Sequence, residues 1–106
     1  MNVLFICNQN LHRSKTAEEL FRSSFATRSA GLYNERPVAQ RDLVWADIIV
    51  VMEEAQREEL ARRFPQECME KRVLNLDIPD MYRYMQPELV SVLKERVSRI
   101  LEPFLE

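Results

Sequence analysis

One histidine and two cysteines in 106 residues leave few ways to build a metal centre. With His12 alone and no Cys-x-x-Cys pair, the usual ligand spacings are missing, so neither a metal nor another cofactor is expected. Cys7 and Cys68 stand far apart, and in a cytosolic chain such a pair reads as two separate thiols rather than a disulfide. An excess of one charge is lacking too. With a formal net charge of −2, nothing in general draws the chain to nucleic acid or to anionic lipid, so a phosphate-bearing ligand needs a locally built site. Long apolar runs are absent as well: Val3-Leu4-Phe5-Ile6 lacks the positive leading segment and the length of a signal peptide, and nothing approaches a membrane span. The expected address is the cytoplasm.

What is present is an apolar fraction of 46% and a charged fraction of 30% spread along the chain, which excludes disorder and implies one domain over 1–106. Asn2 to Ile6 and Asp47 to Met52 are short continuous apolar runs rich in β-branched or aromatic residues, the signature of central parallel strands buried on both faces. Arg72 to Ile78 reads as a third strand, and Ser29 to Tyr33, which holds the only glycine, Gly31, as a weaker fourth. Ala17, Leu20, Phe21 and Phe25 recur at helical spacing and predict a helix from Ser14 to about Thr27. Further helices are expected from about Glu53 to Phe64, from Pro87 onward until Pro103 ends it, and briefly around Arg41 to Ala46. Strands alternating with helices predict a three-layer α/β/α sandwich on a four-stranded parallel sheet.

The chemistry lies in Cys7-Asn8-Gln9-Asn10-Leu11-His12-Arg13-Ser14, between the first strand and the first helix. That is the carboxyl end of a parallel strand, where open α/β sheets bind ligands. Five loop residues between a cysteine and an arginine entering a helix gather backbone N–H groups and the positive helix terminus around one point, a phosphate-binding loop. The same field favours the thiolate of Cys7, the reactive form. Arg13 brings a fork for two phosphate oxygens that a lysine does not reproduce, and Ser14 is placed to hydrogen-bond the Cys7 sulfur. A merely buried cysteine does not predict Arg13-Ser14 at this spacing, and a cation on a first helical turn is poorly placed unless an anion joins it.

Cys-x5-Arg-Ser after Val-Leu-Phe-Ile resembles the low-molecular-weight protein tyrosine phosphatase family. Asn10, Ser29-Ala30-Gly31, the third strand in Trp45 to Met52 and an aspartate near the end of the fourth strand extend the similarity over nearly the whole chain. The resemblance implies a cysteine-dependent phosphatase acting on phosphorylated proteins or small phosphomonoesters. Asn8, Gln9, Asn10, Leu11, His12, Ser14 and Tyr82 are the expected substrate-binding residues, and Cys7, Arg13 and Asp80 the catalytic ones. Asp80, followed by Tyr82 and Tyr84, fits the family's general acid; Asp77 is the reserve, and either aspartate alternatively punctuates the turn. The chain departs from the pattern in three ways. Gln9 stands where the family has glycine, leaving Asn8 and Asn10 to take any left-handed conformation. His12 replaces a second cysteine, which removes a neighbouring-thiol switch. The stretch between Gly31 and Trp45 is shorter than in typical members.

The residues alone leave three rival readings open. An arsenate reductase on the same fold would pass electrons through several cysteines, of which only Cys68 is left. A phosphocarrier subunit would hold phosphate on a similarly placed cysteine, and a non-catalytic phosphate-binding module would sense phosphorylated partners without turnover. Trp45 reads as core, Cys68 as a spectator in a polar connector, and His12 as a loop residue rather than a base. The sequence leaves the oligomeric state undetermined.

Overall fold

In the first strand, β1 (Asn2–Cys7), alternate side chains leave the sheet in opposite directions and both directions are apolar. Val3, Phe5 and Cys7 enter one hydrophobic cluster and Leu4 and Ile6 another. This is why the run is continuous rather than alternating: a strand covered on both faces has no solvent side on which a polar residue is stable. β3 (Ile48–Val51) repeats the pattern, sending Ile48 and Val50 to the first cluster and Ile49 and Val51 to the second. The computed structural model describes residues 1–104, and in it β1 and β3 are the two inner strands of a parallel sheet ordered β2-β1-β3-β4. The outer strands are β2 (Ala26–Gly31) and β4 (Arg72–Asn75).

Helices cover both faces. α1 (Arg13–Phe21) and α5 (Pro87–Leu101) pack on the first cluster, while α2 (Gln40–Trp45), α3 (Glu54–Arg63) and α4 (Pro65–Glu70) pack on the second. In α5, Leu89, Leu93, Val97 and Leu101 recur every four residues and are all buried, each contributing about 1.5–3 kcal/mol by leaving water. A short 3₁₀ turn at Glu102–Phe104, containing Pro103, follows it.

The expected α/β/α sandwich is the observed one, but some boundaries move. The first helix stops at Phe21 rather than near Thr27. Ser24 and Phe25 donate their N–H groups to the Phe21 carbonyl and close the turn there, and the chain then enters β2 three residues earlier than predicted. Phe25 misled the periodicity because it stacks on Phe21, 6.2 Å between ring centroids, from outside the helix. The connector around Cys68 is helix α4, with Pro65 at its first position, so the proline that ends α3 also starts the next helix. β4 ends at Asn75, and Asp77 takes a positive φ of 54°, which turns the chain out of the sheet.

β1 and β3 are neighbours whose following helices lie on opposite faces of the sheet. That divergence opens a crevice at their carboxyl ends, where the segment from Cys7 to Arg13 lies. Gly31 ends β2 beside this segment. A side chain there would meet the Asn34 amide at 2.5 Å and the Asn8 carbonyl at 3.0 Å, so only glycine lets the strand end this close to the loop.

Candidate active site

The loop between β1 and α1 is built around its own polar side chains. Cys7 is 3% exposed, and its Sγ lies 2.9 Å from the Ser14 Oγ, which itself bonds the Asn10 Oδ1 at 2.7 Å. Asn10 carries the loop's left-handed turn at φ 56°, which asparagine tolerates better than most residues. Asn8 does not share that conformation. Its Oδ1 accepts the Gln56 Nε2 at 3.0 Å, and its carbonyl accepts the Tyr33 N–H at 2.9 Å. Gln9, in the place expected for glycine, also needs no positive φ. No side chain caps α1, so the N–H groups of its first turn remain available to an anion above Cys7.

Arg13 is 1% exposed, and a buried guanidinium costs several kcal/mol unless it is paired. Its Nη1 donates to the Glu53 carboxylate and, at 2.7 Å, to the Ile78 carbonyl. Glu53 lies two residues beyond β3, so the segments that follow the two inner strands supply the cation and its partner. Gln56 continues the brace, with its Oε1 accepting the N–H groups of Met52 and Glu53. One edge of Arg13 is thereby fixed while the residue still lines the cleft.

That cleft, about 350 Å³, has Cys7, Gln9, Leu11, His12 and Arg13 on the loop side. Asp80, Met81, Tyr82 and Arg83 form the opposite side. Asp80 lies 3.8 Å from the Arg13 Nε and its side chain is more than half exposed. Its segment is anchored at both ends. The Ile78 N–H donates to the Met52 carbonyl, and beyond Asp80 the Tyr84 N–H donates to the His12 Nδ1 at 3.1 Å and the Met85 N–H to the Thr16 Oγ1 at 3.0 Å. Asp77 lies outside the cleft, bonded to Asn75 through both its side chain and its own N–H.

The structure thus brings Cys7, Arg13, Asp80, Gln9, Leu11, His12 and Tyr82 to one cleft. Asn8, Asn10 and Ser14 do not line it and are engaged behind it. Tyr84 meets the site only through its backbone, and Trp45 packs against the second cluster with Arg28 over its ring. Glu53, Gln56, Thr16 and Arg83 were not expected from the sequence. For Glu53 and Gln56 a signal existed: they follow the strand expected beside β1, on the same rim.

Cys68 is half-buried on α4 and packs on the opposite side of the sheet from Cys7. Burial, and then the neighbouring Glu67 carboxylate, push its thiol up from the ordinary value. Iodoacetate, an anion, is therefore expected to alkylate Cys7 much faster than Cys68, and inorganic phosphate to protect Cys7. Mass spectrometry of the modified peptides measures this, and equal labelling of both thiols would contradict an anion-attracting loop.

No family model matches the sequence, and no curated protein matches it either. Solved structures do match. A low-molecular-weight phosphotyrosine phosphatase from Vibrio cholerae O395 superposes with a TM-score of 0.79 at 20% identity, covering 100% of this chain and 97% of that one. The chain has the fold of the low-molecular-weight phosphatases. The YwlE arginine phosphatase from Geobacillus stearothermophilus gives 0.76 at 18% identity, with 97% and 94% covered. The tyrosine phosphatase Wzb from Escherichia coli K30, solved with phosphate, gives 0.76 at 21%, with 96% of each covered. Within this low-molecular-weight phosphatase fold, the loop after β1 opens at the topological switch point of the sheet.

Among the described residues there is no group of three or more His, Cys, Asp or Glu side chains suited to hold a metal ion. No described helix is long and apolar enough to cross a membrane.

Proposed function

We propose that the 106 residues form one phosphatase domain that hydrolyses phosphate monoesters through a cysteinyl-phosphate intermediate. One arrangement carries this reading: the Cys7 Sγ at 2.9 Å from the Ser14 Oγ, in a cleft that also holds Arg13 and the carboxylate of Asp80. A phosphate bound at the head of α1 meets the first-turn N–H groups and the free edge of Arg13. The Cys7 thiolate attacks phosphorus in line, forming an S–P bond as the ester P–O bond breaks. The leaving oxygen takes a proton from Asp80. Water then attacks the same phosphorus, gives its proton to the Asp80 carboxylate and releases phosphate, and the electron pair of the S–P bond returns to sulfur. The Ser14 hydroxyl, its proton turned from the Asn10 Oδ1 to the neighbouring sulfur, stabilises sulfur both as nucleophile and as leaving group. Arg13 and the amides meet the charge on the equatorial oxygens.

Leu11 and Tyr82 give the cleft apolar surface on both sides, which suits an aromatic phosphoester and favours phosphotyrosine in a protein as the substrate. Tyrosine phosphatases among the structural neighbours support the same choice. A two-thiol redox relay is disfavoured, because Cys68 lies across the sheet from Cys7. We place the reaction in the cytoplasm, a compartment that keeps Cys7 reduced.

Hydrolysis of p-nitrophenyl phosphate, followed by nitrophenolate absorbance, tests the reading. The wild type is expected to turn over, and Arg13→Lys to lose on the order of 10²-fold in kcat because a point charge replaces the braced fork. No turnover by the wild type would leave a phosphate-binding module; near-normal activity of Arg13→Lys would refute the bidentate clamp.

A further inference from the structure

The segment that carries Asp80 touches the nucleophile loop at an unusual place. Between Ile78 and Tyr84 its backbone hydrogen bonds are local: the Met81 N–H donates to the Pro79 carbonyl, and Arg83 pairs with Gln86, its N–H donating to the Gln86 Oε1 and its carbonyl accepting the Gln86 N–H. Beyond Asp80, Tyr82 packs on the first core cluster, and the hydrogen bonds that tie the segment to the nucleophile loop come from two side chains at the start of α1. The Tyr84 N–H donates to the His12 Nδ1 at 3.1 Å, and the Met85 N–H to the Thr16 Oγ1 at 3.0 Å. Thr16 Oγ1 in turn donates to the His12 carbonyl at 2.7 Å, so the two anchors are one unit. Met85 adopts a positive φ of 59°, a conformation that is strained for a methionine and persists only where the surroundings hold it. His12 also lines the cleft and sits directly before Arg13 in the loop.

We propose that His12 is a positioning residue for the general acid: its Nδ1 lone pair, supported by Thr16, fixes where Asp80 stands relative to Cys7. This rests on the phosphatase reading above. An acid is effective only within hydrogen-bond reach of the leaving oxygen, and a displacement of about one ångström is enough to remove much of its effect. Because His12 belongs to the loop that carries Cys7 and Arg13, it registers the acid directly against the nucleophile, in addition to the hold that Ile78 and Tyr82 have on the core. Accepting the Tyr84 N–H requires an imidazole with Nδ1 unprotonated and the proton on Nε2. An asparagine offers an acceptor at the corresponding δ position, whereas alanine offers none.

The test compares kcat for p-nitrophenyl phosphate, whose phenolate leaves unaided, with kcat for phenyl phosphate, which needs the acid. In His12→Ala the ratio of the two is expected to rise about tenfold, with the inhibition constant for inorganic phosphate changed by less than about twofold. His12→Asn should bring the ratio back toward that of the wild type. Amide hydrogen exchange at Tyr84 and Met85 should quicken in His12→Ala and be slowed again in His12→Asn. Should His12→Ala fail to fold, His12→Gln, which carries its polar atoms at the ε position, takes its place. A wild type that turns over both esters alongside a His12→Ala ratio unchanged overturns this assignment alone. Failure of asparagine to rescue, or a parallel loss of phosphate affinity, also overturns it. A wild type that turns over neither ester overturns the phosphatase reading and this assignment together.

Discussion

Replacing Cys7 with serine is expected to abolish turnover while leaving phosphate binding intact. On the proposed mechanism the Sγ forms the covalent intermediate, and a serine hydroxyl is not ionised at neutral pH. Removing the nucleophile of a covalent enzyme costs roughly 10⁶ in kcat in well-studied cases, so hydrolysis of p-nitrophenyl phosphate by Cys7→Ser should fall to background. The binding elements are elsewhere: Arg13 keeps Glu53 and the Ile78 carbonyl, and the first turn of α1 keeps its uncapped N–H groups. Oxygen in place of sulfur leaves these groups where they are, so inorganic phosphate should bind about as tightly as to the wild type. Calorimetric titration with phosphate reads this directly. Residual hydrolysis within about tenfold of the wild type would exclude Cys7 as nucleophile, and loss of phosphate binding would show that the sulfur itself holds the ligand.

The second large effect is expected at Asp80. Asp80→Asn keeps the shape and hydrogen-bonding reach of the side chain but has no acidic proton to give. General-acid assistance is typically worth ~10²–10⁴ in rate, so phenyl phosphate hydrolysis should fall by about that factor. p-Nitrophenyl phosphate should suffer much less, because its leaving group departs with little help. Asp77→Asn is the matched control. Its carboxylate accepts from Asn75 outside the cleft, so the substitution should leave the ratio of the two rates alone. If Asp77→Asn shows the leaving-group dependence and Asp80→Asn does not, the two roles are exchanged; if neither does, the proton comes from another group.

The linear pattern carried much of the molecule. β1 and β3 were legible because strands covered on both faces must be apolar at every position. α5 was legible because a helix covered on one side repeats its apolar residues every three to four. The boundaries that moved are those where packing imitates a local pattern. Phe25 joins the first core cluster from a turn, and Pro65 both ends one helix and begins the next. Asp80 was separable from Asp77 only as a preference, since both lie in the same short turn; the positive φ of Asp77 is what sends its carboxylate toward Asn75.

By itself the sequence determined the strand–loop–helix unit that holds Cys7, Arg13 and Ser14, because those residues are neighbours along the chain and their spacing sets their geometry. It also determined the α/β architecture, because hydrophobic periodicity is a local property of each element. Only the tertiary structure decided who braces Arg13, which aspartate reaches the cleft, and that His12 and Thr16 accept hydrogen bonds from the chain just beyond Asp80. Glu53 is 40 residues from Arg13 and Tyr84 is 72 from His12. Contacts over such distances exist only after β3 has paired beside β1 and the chain beyond β4 has folded back over the loop. The charge of a glutamate or the lone pair of an imidazole can be read from the sequence, but its partner is set by the packing of the whole sheet.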